Sequence, residues 1–222
     1  MMRLNKFLAL YTDLSRRSAD QAIEDGRVSI NDRKITKGIP VDPSDKVTLD
    51  NLPVVSEVTL QTIMLNKPFG FVCIRDGQVS PTVYELLPPD FRNLNPVGRL
   101  DKDSSGLLLL TNNGDLAQKL THPSYKKNKI YDVAIDKPLE PLHHQMINDH
   151  GIILKDGRSK LILQKIDENS KTWTVTMHEG RNRQIRRTFE SLGYKVTKLH
   201  RTQFGDYNLN DLRSGGYIEI KD

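Results

Sequence analysis

The chain reads Gly98-Arg99-Leu100-Asp101-Lys102-Asp103-Ser104-Ser105-Gly106 and continues into the apolar run Leu107–Leu110. Four consecutive leucines predict a buried strand, and the glycine-bounded polar segment before them predicts a turn. Such a strand holds the carboxylate of Asp101 rigidly at the end of a buried element. Because catalysis depends on groups held in a fixed geometry, Asp101 is the first candidate for a functional residue.

Composition sets the broad class of the protein. The chain has 222 residues, of which 36% are hydrophobic and 27% are charged, and its formal net charge is +5. This profile is typical of one medium or two small globular domains. The positive charge favours a polyanionic partner such as nucleic acid.

Several classes of protein are disfavoured by the same sequence. Cys73 is the single cysteine, so an intramolecular disulfide is excluded and a reducing cytoplasm is expected. We expect no membrane span, because no apolar stretch approaches about 18 residues. We also expect no secretory signal, because no long hydrophobic region follows the charges at the start of the chain. The six histidines are scattered without zinc-ligand spacing, and no Gly-rich phosphate loop occurs, so we expect no metal and no cofactor.

The first 50 residues predict a small module of two helices followed by short strands. Apolar residues at helical spacing predict a helix over residues 3–11. Ser15 is a suitable N-cap for a second helix that runs to about Asp25, and Gly26 is suited to the position after it. Alternating apolar residues between 28 and 49 predict short strands.

Residues 2–50 resemble an S4-type RNA-binding domain in three segments. These segments are Arg3-Leu4-Asn5-Lys6-Phe7-Leu8-Ala9, Ser15-Arg16-Arg17 and Gly26-Arg27-Val28-Ser29-Ile30-Asn31. The resemblance implies phosphate contacts for the basic residues of the module, which are Arg3, Lys6, Arg16, Arg17 and Arg27. A solvated polar face is the simpler alternative for such residues.

Two positions of the module depart from the usual S4 pattern. Asn31-Asp32 stand where the family usually has Asn-Gly or Asp-Gly, and Thr12-Asp13 stand where it usually has a glycine. Asn and Asp adopt a left-handed backbone more readily than most residues. We therefore expect the module to keep its hairpin.

Residues 51–59 predict a linker, since Pro53 disfavours a central strand, and a larger domain follows over residues 60–222. Its predicted strands alternate irregularly with helices, which favours an α+β fold with a mixed, mostly antiparallel sheet over a doubly wound one. The predicted strands are 62–66, 70–74, 107–110, 129–135, 172–177 and 195–199, and the predicted helices are 115–121 and 182–192.

The segment around Asp101 closely resembles the catalytic motif of bacterial ribosomal RNA pseudouridine synthases of the RsuA family. The resemblance implies that Asp101 is the essential carboxylate and that Arg99, in the same triplet, contacts the substrate. A carboxylate next to an arginine is more often a turn or ion-pair residue, and the length of the matching motif argues against that reading here. Asp103 is expected to be a solvated loop residue without a catalytic role.

Two further segments match the same family. Lys129-Ile130-Tyr131-Asp132-Val133 matches its Lys-x-Tyr-x-Val motif, which implies that Tyr131 stacks on the flipped base. Leu199 resembles the apolar residue that packs against that base, although each of these side chains suits a protein core as well.

The third segment, residues 179–187, is a basic stretch that is predicted to be helical. Arg186 is the favoured partner of Asp101, with Arg183 as the alternative, and a neighbouring guanidinium favours the ionised form of a carboxylate. Arg183 and Arg187 are four residues apart, which predicts a shared helix face for substrate phosphates.

The sequence therefore predicts site-specific isomerisation of uridine to pseudouridine in 16S or 23S ribosomal RNA. The expected partner is ribosomal RNA or an assembling ribosomal subunit, and the expected state is a cytoplasmic monomer. A non-catalytic S4-domain RNA-binding or ribosome-assembly factor is the alternative. A sugar-active hydrolase that uses Asp101 and Asp103 is a weaker third possibility.

Overall fold

The chain divides into two units in the computed structural model, which describes residues 1–57, 59–75 and 80–221. The first unit spans Met1–Leu60 and the second spans Gln61–Asp222. Within the described residues no helix is long and apolar enough to cross a membrane.

The first unit has two helices and two small sheets. Its elements are β1 (Met2–Arg3), α1 (Leu4–Tyr11), α2 (Arg16–Glu24), β2 (Val28–Ile30), β3 (Arg33–Ile35), β4 (Pro40–Val41), β5 (Val47–Leu49) and β6 (Leu52–Pro53). β1 pairs with β4, and the other strands form a sheet in the order β3-β2-β5-β6. Apolar side chains of both helices and of β2, β4 and β5 form one core.

Local chemistry explains the ends of these elements. The Ser15 hydroxyl accepts a hydrogen bond from the Ser18 amide at 3.1 Å, which caps α2 as predicted. Asn31 and Asp32 form the two-residue turn between β2 and β3 with φ of 49° and 64°. A hairpin turn of this kind requires positive φ at both residues. The expectation that the hairpin survives without glycine is confirmed.

The second unit is built on a nine-stranded sheet. Its elements are β7 (Thr62–Lys67), β8 (Asn95–Pro96), β9 (Ser105–Thr111), α3 (Gly114–Thr121), β10 (Lys129–Ile135), α4 (Pro141–Gln145), β11 (Ile152–Leu154), β12 (Gly157–Ser159), β13 (Ile162–Lys165), β14 (Thr172–Met177), α5 (Gln184–Glu190), β15 (Val196–Phe204), β16 (Tyr207–Asn208) and β17 (Tyr217–Ile220). The main path of the sheet is β13-β14-β10-β15-β9-β7-β17. β11 and β12 form a separate hairpin.

The sheet is mixed, as the sequence predicted. β9 and β15 run parallel, and the other described strand pairs are antiparallel. The central position of β9 explains its leucine run, because strands covered on both faces need apolar residues at successive positions. Leu108 and Leu110 belong to one core, and Leu107 and Leu109 belong to the core on the other face. The predicted α+β fold is confirmed.

Three local predictions need correction. The apolar segment 70–74 forms no extended strand; Val72 makes an isolated bridge to Thr82. The basic helix is shorter than predicted, because α5 starts at Gln184 and ends at Glu190. The predicted linker 51–59 begins with β6, an edge strand paired with β5, which is where a sheet tolerates a proline such as Pro53.

Candidate active site

A cleft of about 530 Å³ lies in the second unit beside the segment that contains Asp101. Its walls come from the loop before β9, from β10, from the end of β14 and the loop that follows it, and from β15. Five residues singled out in the sequence line it: Arg99, Asp101, Tyr131, Arg183 and Leu199. Arg186 and Arg187 do not line it.

Lys67 binds the backbone of the loop that contains Asp101. It ends β7 and is 0% exposed. Its ammonium donates hydrogen bonds to the carbonyl oxygens of Asp101 (3.0 Å), Ser104 (2.5 Å) and Pro68 (3.0 Å). An ammonium has three donors, so this set of acceptors satisfies all of them and fixes the loop backbone.

Burial lowers the pKa of the Lys67 ammonium, and the nearby Cys73, Asp101 and Asp103 act in the opposite direction. Loss of solvent disfavours a charged group, whereas hydrogen bonds and opposite charges favour it. Lys67 directly follows the predicted strand 62–66, which is the one feature of the sequence that points to it. A buried lysine cannot be told from an exposed one at that position without the tertiary structure.

Gly106 allows β15 to approach this loop. Its φ is 106°, and it lies opposite Arg201 in the parallel pairing of β9 with β15. A Cβ at this position would lie 2.2 Å from the Arg201 carbonyl oxygen and 2.5 Å from its amide nitrogen. The glycine of the motif is therefore required where the two strands meet, and that pairing brings Leu199 and Arg201 to the cleft.

The carboxylate of Asp101 is accessible from the cleft. Its side chain is 37% exposed, and Oδ2 lies 3.5 Å from Nη1 of Arg183. This is a long contact, so the carboxylate keeps lone pairs available for other interactions.

Asp103 carries the strong ion pairs of the loop. Arg183 donates to Oδ1 and Oδ2 of Asp103, both at 2.9 Å, in a two-pronged arrangement. Nε of Arg186 lies 3.3 Å from Oδ2. Hydrogen bonds from Arg183 hold the pKa of Asp103 below its usual value; burial opposes this, and the charge of Arg186 adds to it. Asp103 is therefore an ion-paired residue of the loop, 36% exposed, and the expectation that it has no catalytic role stays a prediction.

The favoured pairing of Arg186 with Asp101 is wrong, and the alternative, Arg183, is the arginine that contacts Asp101. Arg186 is the first-turn residue of α5 that binds backbone, donating to the carbonyl oxygens of Asp103 (2.5 Å) and Val196 (2.9 Å). Burial lowers the pKa of Arg186, and the charge of Asp103 opposes this.

Arg183 reaches Asp101 because it lies outside the helix. Its φ is 47°, a left-handed conformation that is uncommon for residues other than glycine and that often marks functional sites. The predicted helix face shared by Arg183 and Arg187 is therefore wrong. Arg187 instead donates to both carboxylate oxygens of Asp156, at 2.8 and 3.0 Å.

Apolar side chains form part of the lining of the cleft. Tyr131 is 7% exposed and Leu199 is 8% exposed. Tyr131 lies on β10 directly opposite Arg201 of β15, and Leu199 lies two residues before Arg201 on the same strand. The two side chains suggested for base contact thus lie in one wall, together with Met177 and Ile185.

Two further cations, Arg201 and Lys129, line the cleft. Arg201 is 2% exposed; its Nε donates to the Leu107 carbonyl oxygen at 2.8 Å, and its guanidinium lies 4.8 Å from the Phe204 ring centre. The ammonium of Lys129 lies 5.3 Å from the centre of the same Phe204 ring. Burial, followed by the charge of Arg201, lowers the pKa of Lys129.

In the first unit the predicted RNA-contact residues differ in their surroundings. Arg3, Arg16 and Arg17 are exposed, and Lys6 is partly buried. Arg27 donates to both carboxylate oxygens of Asp50, at 2.8 and 2.5 Å. Hydrogen bonding to Asp50 raises the pKa of Arg27.

Comparisons with known proteins match both units. The family described as RNA pseudouridylate synthase matches residues 61–191, and the S4 domain matches residues 2–47. A solved structure titled "Crystal structure of pseudouridylate synthase" superposes with a TM-score of 0.71 at 31% identity, covering 100% of this chain and 96% of that one.

Curated relatives extend over nearly the whole chain. The Ribosomal large subunit pseudouridine synthase B of Bacillus subtilis (strain 168) is 37% identical over 99% of this chain and 92% of its own length. The Ribosomal small subunit pseudouridine synthase A of Pasteurella multocida (strain Pm70) is 35% identical over 99% of this chain and 96% of its own length. The Dual-specificity RNA pseudouridine synthase RluF of Escherichia coli (strain K12) is 34% identical over 100% of this chain and 76% of its own length.

Proposed function

The chain belongs to the RNA pseudouridylate synthase family and is a pseudouridine synthase, and we propose that it isomerises a uridine in ribosomal RNA with Asp101 as the essential carboxylate. One observation carries the assignment of Asp101. Its carboxylate opens into a cleft, on a loop fixed by the buried Lys67, with a single guanidinium at 3.5 Å.

The proposed reaction moves the uracil without changing its composition. The bond between N1 and C1′ of the uridine breaks, the uracil turns, and a bond forms between C5 and C1′. The proton leaves C5 and one is gained at N1, so the product is an isomer. The Asp101 carboxylate either attacks C1′ as a nucleophile or stabilises the positive charge that develops there.

The cleft walls supply what the flipped base needs. A uridine in folded RNA must leave its stack, which costs a few kcal/mol, and an apolar pocket compensates for the lost stacking. Tyr131 and Leu199 contribute such apolar surface to the cleft that Asp101 also lines. Tyr131 is in addition the side chain we assign to removal of the C5 proton, since its phenol is a polar group in that wall.

Four arginines of the second unit have different roles in this proposal. Arg183 takes the role of partner to Asp101, and it also contacts the substrate. Arg99, an exposed residue of the cleft rim, contacts phosphate. Arg186 acts by holding the loop through the Asp103 carbonyl oxygen. A phosphate contact by Arg187 requires exchange of its bonds with Asp156.

The first unit adds affinity in the same proposal. Arg3, Lys6, Arg16 and Arg17 contact RNA phosphates, whereas the charge of Arg27 is largely compensated by Asp50. RNA helices are bound mainly through backbone and shape, which calls for positive charge on a rigid surface. A ribosomal RNA substrate places the enzyme in the cytoplasm, and we propose that it acts there as a monomer.

The test is tritium release from C5-tritiated uridine in 16S and 23S transcripts and in unmodified ribosomal subunits. Wild-type protein should release tritium from at least one of these substrates, and Asp101→Asn should bind that RNA without release. Release by both proteins would show that the Asp101 carboxylate is not required for the reaction. Release by neither, with RNA binding retained, would favour the non-catalytic assembly factor.

A further inference from the structure

An exposed aromatic side chain lies next to the loop that carries Asp101 but outside the cleft. Phe69 follows the buried Lys67 and is 69% exposed. Single exposed apolar residues are common on protein surfaces, so exposure alone identifies no site. Two other features of Phe69 distinguish it.

The first feature is the rigidity of its turn. Lys67 is bound to three carbonyl oxygens on one side of Phe69, and the Gly70 amide donates to the Lys102 carbonyl oxygen at 2.8 Å on the other. Pro68 restricts its own φ. The Phe69 turn is therefore held at both ends against the Asp101 loop.

The second feature is a crevice of about 630 Å³ that Phe69 helps to form. Its volume lies in the range of pockets that hold small molecules. Among the described residues, its charged lining consists of Asp103, Arg183, Arg186, Glu190 and Lys195. Arg183 lines both this crevice and the cleft, so its guanidinium is within reach of a nucleotide in either space.

The charges of the crevice suit a nucleotide. Three cationic side chains line it, those of Arg183, Arg186 and Lys195, against the two carboxylates of Asp103 and Glu190. Asp103 is already bound by both arginines. A positive groove with an aromatic side chain is the usual means of holding unpaired bases, because every base has a face that stacks.

We propose that Phe69 stacks on an unpaired base that flanks the target uridine, with the connecting phosphate near Lys195 and near Arg183, which exchanges one of its bonds with Asp103 for the phosphate. The inference rests on the proposed function. It adds a subsite for a second nucleotide, in which Phe69 and Lys195 join Arg183 and Asp103 of the candidate site.

The experiment compares variants at position 69 in the full-length chain, using the transcript or subunit that the wild-type protein modifies. Phe69→Ala should raise KM roughly 5- to 100-fold, the range that corresponds to loss of one stacked base. Phe69→Trp should restore a KM close to the wild-type value. Phe69→Leu keeps an apolar side chain without a ring and should behave like Phe69→Ala.

Leu142→Ala is the matched control, since Leu142 is 63% exposed on α4 and lines neither the cleft nor the crevice. Its KM should equal the wild-type value. Thermal unfolding should show equal stability for all four variants and the wild type, which separates lost stacking from lost folding.

Three outcomes would overturn the subsite. A wild-type KM for Phe69→Ala would show that nothing stacks there, and a full rescue by Phe69→Leu would show apolar contact in place of stacking. A fall in kcat at unchanged KM would place Phe69 in the chemical step. An inactive wild-type protein on every RNA tested would instead contradict the proposed function, and this inference with it.

Discussion

The cleft and the crevice are lined by different residues of one loop, and each contains a carboxylate from that loop. On the cleft side, Asp101 has one guanidinium at 3.5 Å. On the crevice side, Asp103 accepts two hydrogen bonds of 2.9 Å from Arg183 and lies 3.3 Å from Arg186. A carboxylate whose lone pairs are occupied stabilises structure, whereas one with lone pairs left over can react. The difference in partners supports the proposal that Asp101 carries the chemistry and that Asp103 stabilises the loop.

Replacing Lys67 should have the largest effect on this arrangement. Lys67→Met removes a donor from three carbonyl oxygens. The Asp101 oxygen keeps its bond from the Ser104 amide, whereas those of Pro68 and Ser104 lose the Lys67 donor, and each such acceptor costs about 1–3 kcal/mol. Relief of the buried charge offsets part of this cost, so we expect a loss of about 3 kcal/mol in the free energy of unfolding. Turnover should also fall, because the Asp101 backbone is no longer fixed.

Urea unfolding and tritium release measure these two effects. Lys102→Met is the control, since Lys102 is an exposed residue of the same loop. Equal stability of Lys67→Met and Lys102→Met would show that the buried ammonium does not support the loop.

Gly106→Ala should have the next largest effect. The new Cβ would meet the Arg201 backbone at 2.2 Å, and φ of 106° is unfavourable for alanine. Strain of this kind costs about 1–3 kcal/mol, and overpacking costs a similar amount. We expect a loss of about 3 kcal/mol in the free energy of unfolding, measured by urea titration.

Gly114→Ala provides the comparison for that variant. Nothing lies within 4 Å of a Cβ at Gly114, which is the first residue of α3. Alanine is preferred over glycine in helices by about 1 kcal/mol, so this variant should be as stable as the wild type or slightly more stable. A smaller loss for Gly106→Ala than for Gly114→Ala would contradict the close approach of β9 and β15.

A pH titration sharpens the role of Asp103. The pKa of Asp103 is lowered in the folded protein. Its contribution to stability is therefore complete above the pKa of the unfolded chain, about 3.9, and is lost as the pH falls through the pKa of the folded protein. Asp103→Asn should therefore be less stable than the wild type near neutral pH, by about 1 kcal/mol for a partly exposed pair.

Urea midpoints measured from pH 7 to pH 2.5 test this. The gap between wild type and Asp103→Asn should close at the acidic end of the series. A gap that persists unchanged to pH 2.5 would show that the ion pairs of Asp103 do not produce it.

The smallest effect concerns paired and exposed arginines of the first unit. Arg16→Gln should reduce the slope of log affinity against log salt concentration by about 1 if Arg16 contacts a phosphate. Arg27→Gln should change the slope less, since Asp50 binds that guanidinium. Filter binding over a KCl series measures both slopes, and a larger change for Arg27→Gln would reverse the assignment.

Local patterns in the sequence predicted most helices and strands, as the Ser15 cap and the leucine run of β9 show. Features set by distant contacts were missed. The segment 70–74 is apolar because Cys73 packs in the core and its thiol lies 3.3 Å from the Leu100 carbonyl oxygen, and the pattern alone suggested a strand.

The candidate site shows the same limit. The motifs identified Asp101, Tyr131 and Leu199, and the structure brings all three to one cleft. The assumption of a regular helix placed Arg183 wrongly, because its left-handed conformation has no signature in the residue type. The burial of Lys67 and Arg201 follows from the pairing of β7, β9 and β15 in the sheet, so the residue types alone do not reveal it.

Single-turnover tritium release with excess enzyme tests the central claim most directly, with Asp101→Asn and Asp103→Asn compared on the RNA that the wild type modifies. We predict that Asp101→Asn loses at least about a thousandfold in rate, as expected when a group that stabilises transition-state charge is removed, with unchanged unfolding. Asp103→Asn should keep its rate within about tenfold and be less stable. Equal rate losses in the two variants, or a larger loss for Asp103→Asn, would contradict the division of roles between the two carboxylates.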